Sequence, residues 1–140
     1  MPTFDEWCNL YDACYLEWVT HYKGVSINGL VLYKAKAESD KGKFSNNNPS
    51  LSTNYSVYND VHIFLPAAGY FTGDALGNSY FAYSGTEGKY WSSSLSIMGS
   101  GMDYRGTDAD HFHFHSTNYM TYNTRTKDGL TIRPVCVASE

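Results

Sequence analysis

A chain of 140 residues fits one domain, long enough to bury about 68–70% of the surface that its unfolded form exposes, and no second domain is needed. A net charge of −4 with ten scattered basic residues excludes a phosphate-tracking face, so nucleic acid is not an expected partner. Charged residues are only 17% of the chain, whereas 13 Tyr, 7 Phe and 3 Trp bring aromatics to 16%, which moves recognition from ion pairs to rings and hydrogen bonds.

In chain order, Thr3 followed by Glu6 makes a capping box, in which hydroxyl and carboxylate each satisfy a backbone N–H that the first helical turn leaves open. Phe4, Trp7, Leu10, Tyr11 and Cys14 then recur at three- and four-residue spacing, predicting a helix from about Phe4 to Cys14 with Trp7 and Leu10 in the core. Glu17 to Tyr22 is rich in β-branched and aromatic residues and reads as a strand ended by Lys23-Gly24. Asn28-Gly29 is a turn signal, and Leu30 to Tyr33 continues as a strand that pairs with the previous one. From Lys34 to Asp60 the composition turns to Lys, Ser and Asn, which predicts a long surface loop, functional or partly mobile at that length.

Val61 to Leu65 is a short apolar strand stopped by Pro66, which has no N–H for a ladder. Tyr80 to Tyr83 and Tyr90 to Ser93 are further strands, separated by a turn at Gly85 to Gly88. His111 to His115 alternates His with Phe, so Phe112 and Phe114 fall on one sheet face and His111, His113 and His115 on the other. Leu130 to Val137 is the terminal strand, with Pro134 marking an edge or bulge. No repeat is present, and the sum is an α+β domain: one or two helices beside short antiparallel strands with long polar connections.

Three cysteines leave any disulfide reading incomplete. On a helix Cys8 and Cys14 lie about 9 Å apart along the axis, too far to bridge, while a bridge from Cys136 to either stays open beside the reading as buried free thiols. The start of the chain has neither the basic residues nor the apolar run of a signal peptide, and no stretch approaches the roughly 18 apolar residues of a membrane span. Membrane insertion is therefore not expected. The chain is expected either to be made in the cytoplasm and exported by assembly, as a virion part would be, or to be one domain of a longer exported protein.

Two clusters invite chemistry. Alternate His on a strand project to one face about 6.5–7 Å apart, and two of His111, His113 and His115 could share a tetrahedral zinc with Asp103 or Asp108 completing the set. The other reading of that face is ligand contact or simple solvation. Trp91-Ser92-Ser93-Ser94 contains serines but no nucleophile-elbow pattern, so Trp91 is read as core and the hydroxyls as partners of nearby backbone. Arg133, within an apolar strand, is read as a framework residue. The concentration of Tyr, Asn, Ser and Gly after Trp91 has the chemistry of antibody-type contact surfaces, where rigid rings supply area and small polar groups supply adaptable hydrogen bonds.

Six short motifs then resemble one family in order and spacing. These are Pro2-Thr3-x-x-Glu6-Trp7, Asn28-Gly29, Ile63 to Tyr70, Gly88-x-Tyr90-Trp91-Ser92-Ser93, Ala109-x-x-Phe112-x-Phe114 and Gly129-x-x-Ile132-Arg133-Pro134-Val135. Together they resemble the Fibrobacter succinogenes major paralogous domain, which is similar to the C-type-lectin-like fold of formylglycine-generating enzymes and of the variable proteins of diversity-generating retroelements. The Lys34 to Asp60 loop is longer than that family carries, and Arg125 is spaced more widely from Gly129. The catalytic cysteine pair of formylglycine-generating enzymes has no counterpart, and neither do the Glu-Pro-Asn or Gln-Pro-Asp triplets of calcium-dependent lectins.

The resemblance implies a single C-type-lectin-like domain over residues 1–140, non-enzymatic and without a cofactor or metal. It implies a binding surface between about Ser94 and Lys127, open to retroelement diversification. Its candidate contact residues are Met98, Asp103, Tyr104, Asp108, Asp110, His111, His113, His115, Asn118, Tyr119, Tyr122 and Asn123. The expected ligand is a cell-surface protein or glycan, met by an adhesin on a bacterial surface or by a receptor-binding module at a phage tail tip. The alternatives are a zinc-dependent enzyme built on the His strand and a structural subunit of a pilus or phage tail, which oligomeric state in solution separates.

Overall fold

Helix α1 (Phe4–Ala13) begins where the capping box sets it: the Thr3 hydroxyl accepts from the Glu6 N–H at 3.1 Å and the Glu6 carboxylate accepts from the Thr3 N–H at 2.7 Å. The chain then turns without a linker into β1 (Cys14–Val19), which pairs antiparallel with β2 (Gly29–Lys34). The computed structural model describes residues 1–46, 54–73, 77–96, 108–125 and 128–133. The remaining strands are β3 (Phe44–Ser45), β4 (His62–Pro66), β5 (Tyr70–Gly73), β6 (Ser79–Ala82), β7 (Glu87–Leu95), β8 (Asp108–His115) and β9 (Asn118–Arg125).

These strands form three sheets, ordered β3-β1-β2-β4, β5-β6 and β7-β8-β9. About 50% of the described residues are in strands and 15% in helix, so the expected α+β, C-type-lectin-like architecture is corrected to a mostly-β fold with one α-helix. The sequence reading undercounted strands for a physical reason. Apart from Phe71 and Arg125, β5 and β9 are made of Tyr, Thr, Asn, Met and Gly, a mixture that reads as loop when the pairing partner is unknown.

β1 and β2 are buried along almost their whole length on both faces. On one side Leu16, Trp18, Leu30, Leu32 and Leu65 meet Trp7 of the helix and Tyr90, Phe112 and Phe114 of the third sheet. Trp7 stacks on Phe112 at 5.2 Å between ring centres and Phe112 neighbours Phe114 at 5.8 Å, so the helix and the two inner sheets share one aromatic core. On the other side Tyr15, Val31 and Tyr33 form a second cluster.

That second cluster corrects the reading of Lys34 to Asp60 as a surface loop. Tyr55 stacks on Tyr15 at 4.3 Å, its hydroxyl donates to Asp40 at 2.6 Å, and Lys36 pairs with Asp60 at 2.9 Å. The described parts of this stretch are thus a cover over a hydrophobic face, and they include the two residues of β3 and a 3-10 turn at Glu38–Asp40. Asn28-Gly29 also differs from the hairpin turn expected of it. The connection from β1 runs through a 3-10 turn at Tyr22–Gly24, and Gly29 lies inside β2, where a Cβ would collide with the Phe64 ring and the Leu65 carbonyl.

The two smaller sheets are joined edge to edge. Gly69 bridges Gly88, Phe71 bridges Gly129 and Tyr90 bridges Thr131, so residues 129–131 run between β5 and β7. The expected terminal strand is therefore seen as two isolated bridges within residues 128–133, with Pro134 to Val137 and Cys136 outside the described residues. Arg133 is exposed. Gly88 is required where the Phe114 ring lies flat over β7, since any Cβ there would overlap it. Cys8 and Cys14 are free thiols, and their spacing excludes a bridge between the two.

Candidate functional site

Strand β8 divides the C-terminal sheet into two chemistries. Its Phe112 and Phe114 are fully buried against the helix, and the register places His111, His113 and His115 opposite Tyr122, Met120 and Asn118 of β9 on the other face. From β7, Glu87, Lys89 and Trp91 join the same His-bearing face.

The His face is more closed than the alternation alone implies. His111 is 1% exposed, surrounded by the rings of Trp91, His113 and Tyr122, and neither ring nitrogen has a hydrogen-bond partner. Burial, with the Lys89 and His113 charges adding to it, drives its pKa down to about 3, so it is neutral at ordinary pH. His113 donates from Nε2 to Glu87 at 3.1 Å, yet burial and Lys89 still hold it below the usual histidine range. Lys89 lies 3.6 Å over the Tyr70 ring, and burial lowers its pKa despite Glu87 and Asp128 nearby. Only His115, which meets Thr117 at 3.1 Å, lies at the hairpin end. Among the described residues no three or more His, Cys, Asp or Glu side chains are arranged to hold a metal ion.

A cavity of about 630 Å³ lies on the opposite side, at the start of α1, within the range of small-molecule and side-chain pockets. Phe4 and Asp5 come from the helix, Ser94 and Leu95 from β7, Asp110 from β8, and Thr121, Tyr122 and Asn123 from β9. The helix is fixed there by three bonds to a bulged part of β7: the Phe4 N–H to the Ser94 hydroxyl at 2.9 Å, the Ser93 N–H to the Pro2 carbonyl at 2.8 Å, and the Trp7 indole N–H to the Trp91 carbonyl at 3.3 Å. The register between β7 and β8 shifts between Trp91 and Leu95, and beside that irregularity the Ser92 and Ser94 hydroxyls meet backbone groups, the role the sequence assigned them. Trp91 is half-buried, and Tyr90 takes the core position expected of it.

Within the cavity, burial raises the pKa of Asp110 while a hydrogen bond with Ser96 offsets part of the effect. Asn123 donates to the same Ser96 hydroxyl at 3.2 Å, so Asp110 and Asn123 are positioned through one residue. Tyr122 lines the cavity from the strand, but its ring, 63% exposed, lies on the other face beside His111.

Of the residues that the sequence singled out, the structure brings Asp110, Tyr122 and Asn123 together in this cavity. His113 and His115 line the other face. His111 and Tyr119 are corrections: His111 is enclosed, and the Tyr119 ring packs on Tyr11, Phe44 and Phe112 with its hydroxyl donating to the Gly42 carbonyl at 2.9 Å. Asn118 caps its own hairpin by accepting from the Tyr119 N–H, and Asp108, facing Arg125 in the register, accepts through its carbonyl from the Ser96 N–H at 3.1 Å. Met98, Asp103 and Tyr104 lie outside the described residues. Phe4, Asp5, Ser94, Leu95 and Thr121 were missed as contact residues. The capping box placed the helix start, but nothing local in the sequence shows that it abuts β7 and β9.

Residues 38–135 match the family described as Domain of unknown function (DUF8237). The chain belongs to that family. The matched span of this DUF8237 member holds six of the cavity residues, Ser94, Leu95, Asp110, Thr121, Tyr122 and Asn123, and the helix that closes the cavity precedes it. No curated protein and no solved structure matches the chain. Among the described residues no helix is long and apolar enough to cross a membrane.

Proposed function

We propose that this domain is a non-enzymatic binding module that holds its ligand in the cavity between the start of α1 and β7, β8 and β9. The observation that carries the reading is the cavity itself: about 630 Å³, with apolar walls from Phe4 and Leu95 and a few converging polar groups, Asp110, Thr121 and Asn123. Its composition supports the same reading, because an aromatic ring, Phe4, beside small polar residues offers contact area at low entropic cost. The ligand is a protein or glycan on a cell surface, and the domain serves as an adhesin or as the receptor-binding part of a phage tail.

The test is a binding screen of glycans and cell-surface proteins with the intact chain, followed by Thr121→Ala and Asn123→Ala against any ligand found. Each substitution is expected to weaken binding by about 1 kcal/mol or more, roughly fivefold, with the unfolding midpoint unchanged. A ligand whose affinity is the same for both variants sinks the cavity as its site.

A further inference from the structure

The chemistry of the cavity and the position of β9 together narrow the ligand. The cavity wall carries two carboxylates, Asp5 and Asp110, and among the described residues none that lines it is Lys, Arg or His. The ion pairs among the described residues involve neither carboxylate. Around them stand Phe4 and Leu95, while Tyr122 lines the cavity from β9 with its ring on the opposite face beside His111. Negative charge set in an apolar and aromatic wall is complementary to a cation carried on an apolar stem, since carboxylates pair with the head while Phe4 and Leu95 pack on the stem and the Phe4 ring attracts the charge. An anion is disfavoured at this helix start because Asp5 and Glu6 already occupy the first turn.

The second observation concerns the backbone. In the order β7-β8-β9, β9 is the outer strand, and among the described residues no strand pairs with its far side. Along an edge strand alternate residues direct their N–H and C=O groups away from the sheet, ready to pair with an added chain. The three β9 residues that line the cavity, Thr121, Tyr122 and Asn123, are in the middle of this edge. A chain laid along it would project every second side chain toward one face of the sheet, and the face bearing Asp110 is the one on which the cavity lies.

We infer that the cavity takes the lysine or arginine side chain of an extended peptide segment, supplied by a protein partner, that pairs with the outer edge of β9. This rests on the cavity being the binding site and commits the partner to protein. The raised pKa of Asp110 agrees with it, because burial without a neighbouring cation is what a bound ammonium or guanidinium would offset.

The experiment uses pools of acetylated, amidated pentapeptides with lysine, arginine or norleucine fixed at the centre and the flanks randomised. Each pool is titrated into the nitrogen-15-labelled intact chain while amide resonances are followed. The lysine or arginine pool is expected to shift Phe4, Asp5, Thr121, Tyr122 and Asn123 with an apparent affinity about tenfold above that of the norleucine pool. That preference is expected to vanish in Asp110→Asn with Asp5→Asn, a near-isosteric pair whose remaining spectrum should be unchanged. Equal shifts from the norleucine pool overturn the charge selection and leave the cavity as a binding site. Free acetyl-lysine methylamide binding as well as the lysine pool overturns the strand pairing. No shift at these amides from any pool at millimolar concentration overturns both this inference and the function it rests on.

Discussion

On β8, Phe112 and Phe114 are fully buried among the rings of Trp7, Tyr11, Trp18, Tyr90 and Tyr119, whereas His111, His113 and His115, one step out of phase on the same strand, meet Lys89, Glu87, Trp91 and Tyr122. The Phe face gains from burial outright. The His face buries the His111 ring with neither nitrogen partnered and in its neutral form, so its stability depends on proton concentration while that of the Phe face does not. One strand thus carries a permanent anchor and a conditional one.

The largest break in that comparison is on the Phe side. Phe112→Ala removes a ring that contacts Trp7, Tyr11 and Phe114, and it is expected to cost about 3–5 kcal/mol in denaturant unfolding, enough to unfold much of the population. A loss below about 1 kcal/mol would mean that the shared core is not the anchor described.

Acid is the next lever, and it acts on the His side. The native pKa of His111 is about 3 against 6.5 for a free histidine, so the unfolded chain takes up a proton that the native chain refuses. Stability is full above pH 6.5 and falls as the pH drops from there toward 3, by at most about 1.4 kcal/mol per pH unit for this one group. His113 shifts the same way, with the Glu87 contact working against it. Unfolding free energy measured between pH 7 and 5 should fall, and His111→Leu should flatten the slope by one proton. A pH-independent free energy over that range, or an unchanged slope in the variant, would show that His111 is not buried in the neutral form.

Much of this division was legible in the sequence, because a period of two along His111 to His115 needs no knowledge of the partner strands. The helix start was equally legible, since a capping box is a local device. The closed state of His111 was not legible. It depends on Trp91 and Tyr122, which are distant in sequence and meet it only through the β7-β8-β9 register. For the same reason Tyr119 read as a surface residue, although alternation along β9 turns it to the core beside Phe44. The resemblance to a lectin-like family carried the reading of a displayed polar surface, but the fold it implied does not survive the count of sheets.

Smaller effects sharpen the two ends of the comparison. Thr3→Ala deletes one half of the capping box and is expected to cost about 1 kcal/mol, while Thr3→Ser should restore most of it in thermal unfolding. The helix start also forms a wall of the cavity, so Thr3→Ala should weaken peptide binding more than its stability loss explains. Tyr122→Ala should change stability by no more than about 0.5 kcal/mol, because the ring is largely exposed, and a larger loss would mean that its contact with His111 carries more of the packing than its exposure implies.

The stretch at residues 129–131 that lies between β5 and β7 has a consequence for the order of events in folding. The β5-β6 hairpin and the β7-β8-β9 sheet can each assemble from neighbouring residues, but the contacts Phe71 to Gly129 and Tyr90 to Thr131 join points far apart along the chain. Such distant contacts are slow to form, so during synthesis the two modules, joined directly only at Gly69 and Gly88, complete their shared edge once that late segment has left the ribosome. Chain shortened to end before residue 129 should therefore accumulate as separately folded but loosely associated pieces, prone to pairing with one another.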